Sequence, residues 1–344
     1  MPNPVLTGVI DRLASGADLG SDEAAEVLTE IMEGRASEVE TAAVLIALRA
    51  KGETVEEITG LASTMRRLAT PVSVARDGLL DTAGTGGGCT TFNVSTAAAL
   101  IAAGAGCRVA KHGNRSATSL CGSADVLETL GVRIDLTPDE VGRCIEEVGF
   151  GFMFAPAHHG ATRFVVPVRK QLAVRTVFNF LGPLTNPAGA TRQLIGVSDR
   201  SSQDVVAGAL AALGAHKALV VSSADGLDEM STLGTTHVVE VQGRKLSRWD
   251  LTPEDVGLRR ATLAEIAGGT PEENADVIRR VLSGEPGAPR DIAVLNAGAA
   301  IYVAEGADSV SGGVRAAERA IDSGGAAATL ERLIALSVEM TADR

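Results

Sequence analysis

Apolar residues follow two different periodicities along the chain, and the change falls near residue 70. Before it, apolar positions return at helical spacing after two capping boxes, Ser37 to Glu40 and Thr54 to Glu57. Gly34 and Gly52 stand where these helical stretches are expected to end. The first 70 residues therefore predict a small helical unit.

After residue 71, short apolar segments alternate with helical stretches, which is typical of βαβ units on a largely parallel sheet. The predicted parallel strands are 78–82, 107–111, 150–155, 194–198 and 218–223. Residues 237–242 and 245–250, separated by Gly243, predict a hairpin or edge pair, and the chain from about 290 onward predicts helices. The predicted fold class is α/β with a small all-α domain, in which helices flank a mostly parallel central sheet.

Composition and charge argue against several classes of protein. With 344 residues, of which 45% are hydrophobic, the chain can bury a sizeable core in one large or two modest domains. No apolar run approaches the roughly 20 residues of a membrane span, and the N-terminus lacks a signal-peptide pattern, so we expect a cytoplasmic protein with no membrane partner. The net charge of -12 and the 3% aromatic content argue against nucleic acid as a partner. The four cysteines lack CxxC spacing and indicate neither a zinc site nor a disulfide framework.

A glycine-rich stretch, GTGGGCTTFNVST (84–96), lies between a predicted strand and a helix over 95–105 that Ser95 or Asn93 would cap. At the carboxyl edge of a parallel sheet, bare amides and a helix N-terminus form a cradle for phosphate oxygens. Cys89 occupies the last glycine position of G-x-G-x-x-G, and no G-K-[ST] follows, so neither common nucleotide motif is present. The alternative interpretation is an ordinary flexible turn.

A second polar loop, KHGNRSATSLCGSAD (111–125), follows the next predicted strand. Lys111 and Arg115 supply positive charge, and Ser116, Ser119 and Ser123 supply hydroxyl donors. The alternatives are that Ser123 caps its helix and that Arg115 pairs with a carboxylate. Because two such loops follow successive strands, the sequence predicts a ligand with more than one phosphate.

An acidic turn, DGLDEMST (225–232), follows the predicted strand 218–223. Next to phosphates, Asp228 and Glu229 are suitable Mg²⁺ ligands, although a solvated acidic turn is the alternative interpretation. A further stretch over 168–189 carries Arg169, Lys170 and Arg175. A basic residue there would either bind an acceptor carboxylate or anchor the helical unit to the sheet.

Together, GTGG…TFNVST, KHGNRSATSLCGSADVLETLG, VRKQLAVRTVFNFLGPLTNP and DGLDEMS resemble the anthranilate phosphoribosyltransferases, which join anthranilate to phosphoribosyl pyrophosphate (PRPP). The match covers nearly the whole chain, and the combination of KHGNR, GSADVLE and DGLDE is specific. It implies a nucleoside-phosphorylase-like architecture, with a helical domain over 1–70, to which residues from about 165–190 contribute, and a PRPP-binding α/β domain over 71–344. It also implies a homodimer formed through the helical domain and two Mg²⁺ ions per subunit.

The resemblance further implies roles for individual residues. PRPP would contact both polar loops, at Gly84, Thr85, Gly86, Gly87, Thr91, Asn93, Val94, Ser95, Thr96, Lys111, His112, Gly113, Asn114, Arg115, Ser116, Ala117, Thr118, Ser119 and Ser123. Anthranilate would face Gly84, His112, Asn114 and Arg169, and Arg169 would pair with its carboxylate. Ser95 would contact one Mg²⁺, and Asp228 and Glu229 would hold the other.

Three positions depart from the family pattern. Gly88 stands where the family usually has an aspartate, in a loop one residue shorter, which predicts altered Mg²⁺ dependence or substrate affinity. Gly160 follows His159 where the family has proline, and Ala173 stands where it has glycine. These two changes predict a looser entrance for the acceptor.

The implied reaction displaces pyrophosphate from the anomeric carbon, and Mg²⁺, Lys111 and the loop amides are suited to neutralise the leaving group. Because the amine of anthranilate is neutral at pH 7, we assign neither a nucleophile nor a strong general base. We expect the helical unit to close over the substrates about the connections near 70–75 and 165–190. The alternatives that stay open are transfer to a different aminobenzoate or aromatic amine, a nucleoside phosphorylase-like reaction, and a non-catalytic paralogue that binds nucleic acid.

Overall fold

The computed structural model of the protein describes residues 2–116 and 120–342. Three residues of the second polar loop, Ala117, Thr118 and Ser119, lie outside the described residues, and their predicted contact with PRPP stays a prediction. Within the described ranges the chain forms fifteen α-helices and one seven-stranded sheet. In the same ranges no helix has the length and hydropathy that a bilayer crossing requires.

The helices are α1 (Pro4–Ala14), α2 (Ser21–Met32), α3 (Glu38–Lys51), α4 (Val55–Leu68), α5 (Val94–Gly104), α6 (Ser123–Leu130), α7 (Pro138–Val148), α8 (Ala155–His158), α9 (Val166–Leu172), α10 (Phe178–Leu184), α11 (Gln203–Ala212), α12 (Pro271–Leu282), α13 (Ala288–Val303), α14 (Val310–Asp322) and α15 (Gly325–Thr341). The strands are β1 (Leu79–Gly84), β2 (Arg108–Gly113), β3 (Phe150–Phe154), β4 (Arg192–Gly196), β5 (Lys217–Ser223), β6 (Thr236–Gln242) and β7 (Lys245–Leu251).

Local sequence signals set the ends of the first helices. The Ser37 hydroxyl accepts a hydrogen bond from the Glu40 amide at 3.2 Å, and the Thr54 hydroxyl accepts one from the Glu57 amide at 3.2 Å. Both glutamates bond back to the cap amides, so both predicted capping boxes are confirmed. Gly52 ends α3 with a φ of +89°, a backbone conformation that glycine adopts without strain.

The sheet confirms the predicted α/β class. Its strand order is β3-β2-β1-β4-β5-β6-β7, in which the first five strands pair in parallel and β6 pairs antiparallel with both β5 and β7. The predicted hairpin is therefore the antiparallel edge. Strand β4 begins two residues before its predicted start, because Arg192 and Gln193 are polar yet pair with β1 and β5. The carboxyl ends of the parallel strands share one edge, as the two polar loops require.

Two apolar cores lie on opposite faces of this sheet. Alternate residues of β5 divide between them: Leu219 and Val221 pack with α5 and α13, whereas Ala218 and Val220 pack with α1 to α4 and α11. The second core also contains buried residues of α9 and α10. This packing supports the inclusion of residues near 165–190 with the helical unit, while the domain boundary at residue 70 stays a prediction.

Ala173 adopts a conformation that disfavours an L-amino acid. It follows α9 with a φ of +52°, in the left-handed region. This conformation costs an L-residue roughly 1–2 kcal/mol, and glycine avoids the cost but loses about 0.5–1 kcal/mol of unfolded-state entropy. We therefore expect Ala173→Gly to raise the free energy of unfolding by roughly 0.5–1 kcal/mol, measured by urea denaturation.

The control for this substitution is Ala50→Gly, at an exposed position in α3. There the same change is expected to lower the free energy of unfolding by roughly 0.5–1 kcal/mol, because a right-handed helix favours alanine. Equal destabilisation by both substitutions would show that Ala173 carries no backbone strain.

Candidate active site

A narrow cleft opens at the carboxyl ends of β1 and β4, beside the acidic turn that follows β5. Five segments that are distant in sequence meet there, and helix α5 points its N-terminus at the cleft. Its lining residues are Thr82, Ala83, Gly84, Ser95, Ala98, Leu194, Gly196, Asp228, Glu229 and Asn296. The glycine-rich stretch and the acidic turn therefore share one cleft.

Glycines allow the acidic turn to approach the glycine-rich stretch closely. The Gly86 amide donates a hydrogen bond to the Asp228 carboxylate at 2.8 Å. A β-carbon on Gly84 would lie 2.9 Å from the same carboxylate, and one on Gly196 would overlap the Asp228 carbonyl. These glycines are needed for contact between protein segments. The predicted access of phosphate oxygens to these amides stays a prediction, and contact with the acidic turn is a second reason for the glycines.

One amide of the glycine-rich stretch binds a carboxylate oxygen. Gly86 and Gly87 have φ values of +66° and +83°, in the left-handed region that favours glycine. The group that accepts from the Gly86 amide is the Asp228 carboxylate, whose oxygen atoms resemble those of phosphate. The Gly86 amide is therefore suited to bind a negatively charged oxygen.

Lys111 lies beneath the cleft and is only 1% exposed. Its ammonium group donates to the Thr82 carbonyl at 2.6 Å, the Thr82 hydroxyl at 3.2 Å and the Ser95 hydroxyl at 3.3 Å. Burial lowers the pKa of Lys111, and the nearby charges of Asp81 and Glu229 oppose that change. Lys111 thus places a positive charge next to Ser95.

Asp228 and Glu229 are adjacent and partly buried in the acidic turn. Burial, followed by repulsion from Asp228, raises the pKa of Glu229 to about 8, although Lys111 and a hydrogen bond from the Ser95 amide favour its ionised form. Burial also raises the pKa of Asp228. These carboxyl groups therefore resist ionisation where they lie, and a bound cation would favour their ionised forms.

The donor set fits a magnesium ion. Asp228, Glu229 and the Ser95 hydroxyl supply hard oxygen atoms at one cleft. Within residues 2–116 and 120–342, no group of three or more His, Cys, Asp and Glu side chains is placed to hold a metal ion. A site with two carboxylates suits Mg²⁺, which is typically held by one or two carboxylates together with substrate phosphates and water.

Gly88 explains why the usual aspartate is missing from this loop. A β-carbon at this position would lie 2.7 Å from the Gly226 carbonyl oxygen and 2.9 Å from the Asp228 carboxylate. In the shorter loop, a side chain at residue 88 would force the acidic turn away. An aspartate could therefore not simply be restored here without moving Asp228.

Residues of the second polar loop form ion pairs and hydrogen bonds with one another and with α6. Arg115 pairs with Asp125 at 2.7 Å and Glu128 at 2.8 Å, so its charge is already compensated, which is the alternative that the sequence allowed. Ser123 is the first residue of α6 after the cap Gly122, and its hydroxyl donates to the Asn114 carbonyl at 3.3 Å. The proposed capping role of Ser123 was wrong.

The remaining predicted PRPP residues lie near the same edge. Asn93 precedes α5, but its side chain does not cap the helix; it donates to the Cys121 carbonyl at 3.2 Å and accepts from Asn274 at 3.0 Å. Thr91 forms an isolated bridge with Ala267. The others with described positions are Thr85, Val94, Thr96, His112, Gly113, Asn114 and Ser116. Contact of these residues with PRPP stays a prediction.

Three buried histidines, His112, His158 and His159, lie near the carboxyl ends of β2 and β3. The ring centroids of His112 and His159 are 5.1 Å apart, and His112 Nδ1 lies 3.1 Å from the Gly182 carbonyl oxygen. Burial lowers the pKa of His112 to about 3 and that of His159 to about 4, so both rings are neutral at pH 7. Within residues 2–116 and 120–342, the buried Nε2 atoms of His112, His158 and His159 have no hydrogen-bond partner.

Arg169 lies apart from the residues that line the cleft. Its guanidinium carbon lies 5.4 Å from the centre of the Phe178 ring in α10, the helix that also carries Gly182. Burial lowers its pKa. Arg169 is therefore connected to the His112 region through α10, and its predicted contact with anthranilate stays a prediction.

Sequence reasoning missed two residues at this edge. Asn296 is fully buried and lines the cleft. Its amide oxygen accepts from the Met230 amide and its amide nitrogen donates to the Met230 carbonyl, at 2.9 Å each. These two hydrogen bonds fix the acidic turn. The signal was a single asparagine in the apolar stretch AVLNAGAAIYV. Arg175 was considered only as one of three basic residues between 168 and 189. Its guanidinium packs against the backbone of Gly87, where a β-carbon would lie 2.6 Å from Nη1.

The fold and this cleft together define a glycosyl transferase with two parts. Residues 7–69 match the glycosyl transferase family, helical bundle domain, and residues 76–327 match the glycosyl transferase family, a/b domain. The chain belongs to the anthranilate phosphoribosyltransferase family. It is 54% identical over 335 residues to the anthranilate phosphoribosyltransferase of Rubrobacter xylanophilus, covering 97% of this chain and 98% of the relative.

Solved structures agree with this assignment. The anthranilate phosphoribosyltransferase of Thermus thermophilus superposes with a TM-score of 0.90 at 47% identity, covering 95% of this chain and 98% of that chain. The Saccharomyces cerevisiae enzyme in complex with PRPP and Mg superposes with a TM-score of 0.88 at 29% identity, covering 97% and 98%. The same yeast enzyme in complex with 4-fluoroanthranilate has a TM-score of 0.86 at 29% identity, with coverage of 97% and 98%.

Proposed function

We propose that this enzyme transfers the 5-phosphoribosyl group from PRPP to the amine of anthranilate, giving N-(5-phosphoribosyl)anthranilate and pyrophosphate in tryptophan biosynthesis. The observation that carries the proposal is the meeting of Lys111, Ser95 and the Asp228–Glu229 pair at one cleft beside the glycine-rich stretch. Family membership supplies the two substrates. No observation favours a phosphorylase-like or nucleic-acid-binding role.

Mg²⁺ would favour the ionised forms of the Asp228 and Glu229 carboxyl groups, whose pKa values burial raises. Asp228 and Glu229 would hold one ion, and Ser95 would contact a second, giving two ions per subunit. When bound with PRPP, Mg²⁺ neutralises charge on the pyrophosphate leaving group. The yeast relative that was solved with PRPP and Mg supports the use of this ion.

Binding of PRPP would replace the hydrogen-bond acceptor of the Gly86 amide. Asp228 now accepts the hydrogen bond from the Gly86 amide. A phosphate oxygen that takes its place at this amide would free the Asp228 carboxylate to bind the cation. Lys111, held by Thr82 and Ser95, would then face the charge that develops on the leaving pyrophosphate.

The acceptor would approach from the side of His112 and Arg169. The Arg169 guanidinium would pair with the carboxylate of anthranilate, with Gly84, Asn114 and His112 around the ring. Because His112 is neutral, its Nε2 can accept a hydrogen bond from the neutral amine and orient it. No strong base is needed, because the amine attacks without first losing a proton.

The helical unit would form the homodimer. Val39 on α3 is 78% exposed and Ile46, seven residues later on the same helix, is 39% exposed. Residues seven apart lie on one helix face, so they present an apolar patch that a second copy would cover. The cytoplasmic location stays a prediction.

The decisive assay mixes the protein with PRPP, Mg²⁺ and anthranilate and follows the loss of anthranilate fluorescence. We expect turnover that requires all three components. The same assay with substituted aminobenzoates tests the alternative acceptor. Phosphate-dependent cleavage of nucleosides without turnover of PRPP would instead identify a phosphorylase.

Replacing Arg169 tests the position of the acceptor. We expect Arg169→Gln to raise the KM for anthranilate about 10- to 100-fold, because a charged hydrogen-bond partner of the carboxylate is lost. The KM for PRPP should stay unchanged. Steady-state kinetics with each substrate varied in turn provide the measurement.

The matched control is Arg163→Gln, because Arg163 also stacks on a phenylalanine, with its guanidinium carbon 4.8 Å from the centre of the Phe164 ring. This variant should keep both KM values. A rise in the KM for PRPP alone in Arg169→Gln would place the acceptor elsewhere.

A further inference from the structure

Arg175 belongs to the segment between α9 and α10, and its guanidinium packs against the glycine-rich stretch. Its Nη1 atom donates to the Ser198 hydroxyl at 2.8 Å, and its Nη2 atom lies 3.5 Å from the Thr85 hydroxyl. A β-carbon on Gly87 would lie 2.6 Å from Nη1. The guanidinium therefore packs directly against the backbone that would receive the pyrophosphate.

The guanidinium of Arg175 is bonded to hydroxyl groups, and its charge favours the ionised forms of the nearby Asp199 and Asp228 carboxyl groups. Within residues 2–116 and 120–342, its side-chain hydrogen-bond partners are hydroxyl groups, and it forms no ion pair with a carboxylate. Arg115, another predicted phosphate ligand, is by contrast paired with Asp125 and Glu128. A guanidinium that forms no ion pair, beside an amide that binds a carboxylate oxygen, is suited to a phosphate oxygen.

The helical unit fixes the main chain at this residue. Arg49 of α3 donates from Nη1 to the Arg175 carbonyl at 2.7 Å. The second core also buries Val168 of α9 and Val177 and Phe178 beside α4 and α11. The position of Arg175 over the glycine-rich stretch thus depends on contacts with the helical unit.

We propose that Arg175 binds the pyrophosphate group of PRPP and that Arg49 is a positioning residue, through which the helical unit takes part in donor binding. This inference rests on the proposed function. It differs from the role of Arg169, which lies six residues earlier and is assigned to the acceptor. The two arginines of one segment thereby recognise the two substrates.

Steady-state kinetics of Arg175→Gln separate the two substrates. We expect a KM for PRPP that is raised about 10- to 100-fold and an unchanged KM for anthranilate, because a charged partner of the pyrophosphate is lost. Arg49→Gln should raise the KM for PRPP about 3- to 10-fold, since it removes only the hydrogen bond that holds the Arg175 carbonyl. Arg175→Lys, which keeps the charge but not the planar fork, should fall between wild type and Arg175→Gln.

The matched control is Lys170→Gln, which removes one positive charge from an exposed position of the same segment. It should keep both KM values. Thermal unfolding of each variant establishes that the fold is retained, and Arg175→Lys provides the comparison where the glutamine variant does not fold.

Calorimetric titration with Mg²⁺ and inorganic pyrophosphate tests the same inference without turnover. Wild type and Lys170→Gln should bind pyrophosphate, and Arg175→Gln should bind it about 10- to 100-fold more weakly. Unchanged pyrophosphate affinity and unchanged KM for PRPP in Arg175→Gln would overturn the proposal, as would an equal rise of both KM values. Wild type that binds pyrophosphate but does not turn over anthranilate would contradict the proposed function and leave the role of Arg175 supported.

Discussion

Asp228→Asn combined with Glu229→Gln is expected to lower Mg²⁺-dependent turnover at least about 10³-fold, because the cleft loses both carboxylates that would hold the ion at the leaving group. The same variant without metal is expected to unfold at a higher temperature than wild type. Burial, followed by repulsion from Asp228, raises the pKa of Glu229 to about 8, and the neutral amides remove both of these costs. Steady-state kinetics over a range of Mg²⁺ concentrations and thermal unfolding provide the two measurements.

The matched control is Glu254→Gln combined with Asp255→Asn, another adjacent pair of acidic residues, which lies exposed on the surface. This control should keep wild-type turnover. It also loses the contacts of Asp255 with Thr252, so its unfolding temperature should not rise. Intact Mg²⁺-dependent turnover in the Asp228 and Glu229 variant would show that the metal assignment is wrong.

Lys111→Met is expected to lower kcat about 10²- to 10³-fold, the range found when one preorganised donor to a developing charge is removed. The methionine side chain has a similar length and carries no charge, so the variant should still fold. Ser95 would lose its contact with the ammonium group, which lies 3.3 Å from its hydroxyl. Single-turnover kinetics separate this loss in the chemical step from any change in substrate binding.

Lys217→Met provides the matched control. Lys217 is also buried, with 7% exposure, but lies at the opposite end of β5, where its ammonium group donates to the Tyr302 carbonyl at 3.0 Å. This substitution should change stability and leave kcat at the wild-type value. If both lysine variants lose turnover equally, the effect of Lys111 is structural.

The elements were predictable where a local signal sets them. The two capping boxes at Ser37 and Thr54 lie within single turns, and the parallel strands are short apolar runs between polar loops. The rule that parallel strands share a carboxyl edge then placed the polar loops and the acidic turn together. For this reason the sequence alone predicted that Lys111, Ser95 and Glu229 would lie at one cleft.

The contacts between segments were not predictable from local patterns. Asn296 reaches Met230 across 66 residues, and Arg49 reaches the Arg175 carbonyl across 126 residues. Neither spacing follows from helix or strand periodicity, because both depend on how the elements pack. The contacts of Gly84 and Gly88 were unpredictable for the same reason. A glycine in the sequence indicates a backbone without a side chain, but it does not show that the Asp228 turn occupies the adjacent space.

The central claim is that the glycine-rich stretch, the second polar loop and the acidic turn enclose PRPP together with divalent ions. Anomalous diffraction from crystals soaked with PRPP and Mn²⁺, a replacement for Mg²⁺, tests it most directly. We expect manganese peaks within coordination distance of Asp228 or Glu229 and of Ser95, with pyrophosphate density along residues 84–87 and beside Lys111. Manganese and pyrophosphate bound at a different surface, with this cleft vacant, would contradict the claim.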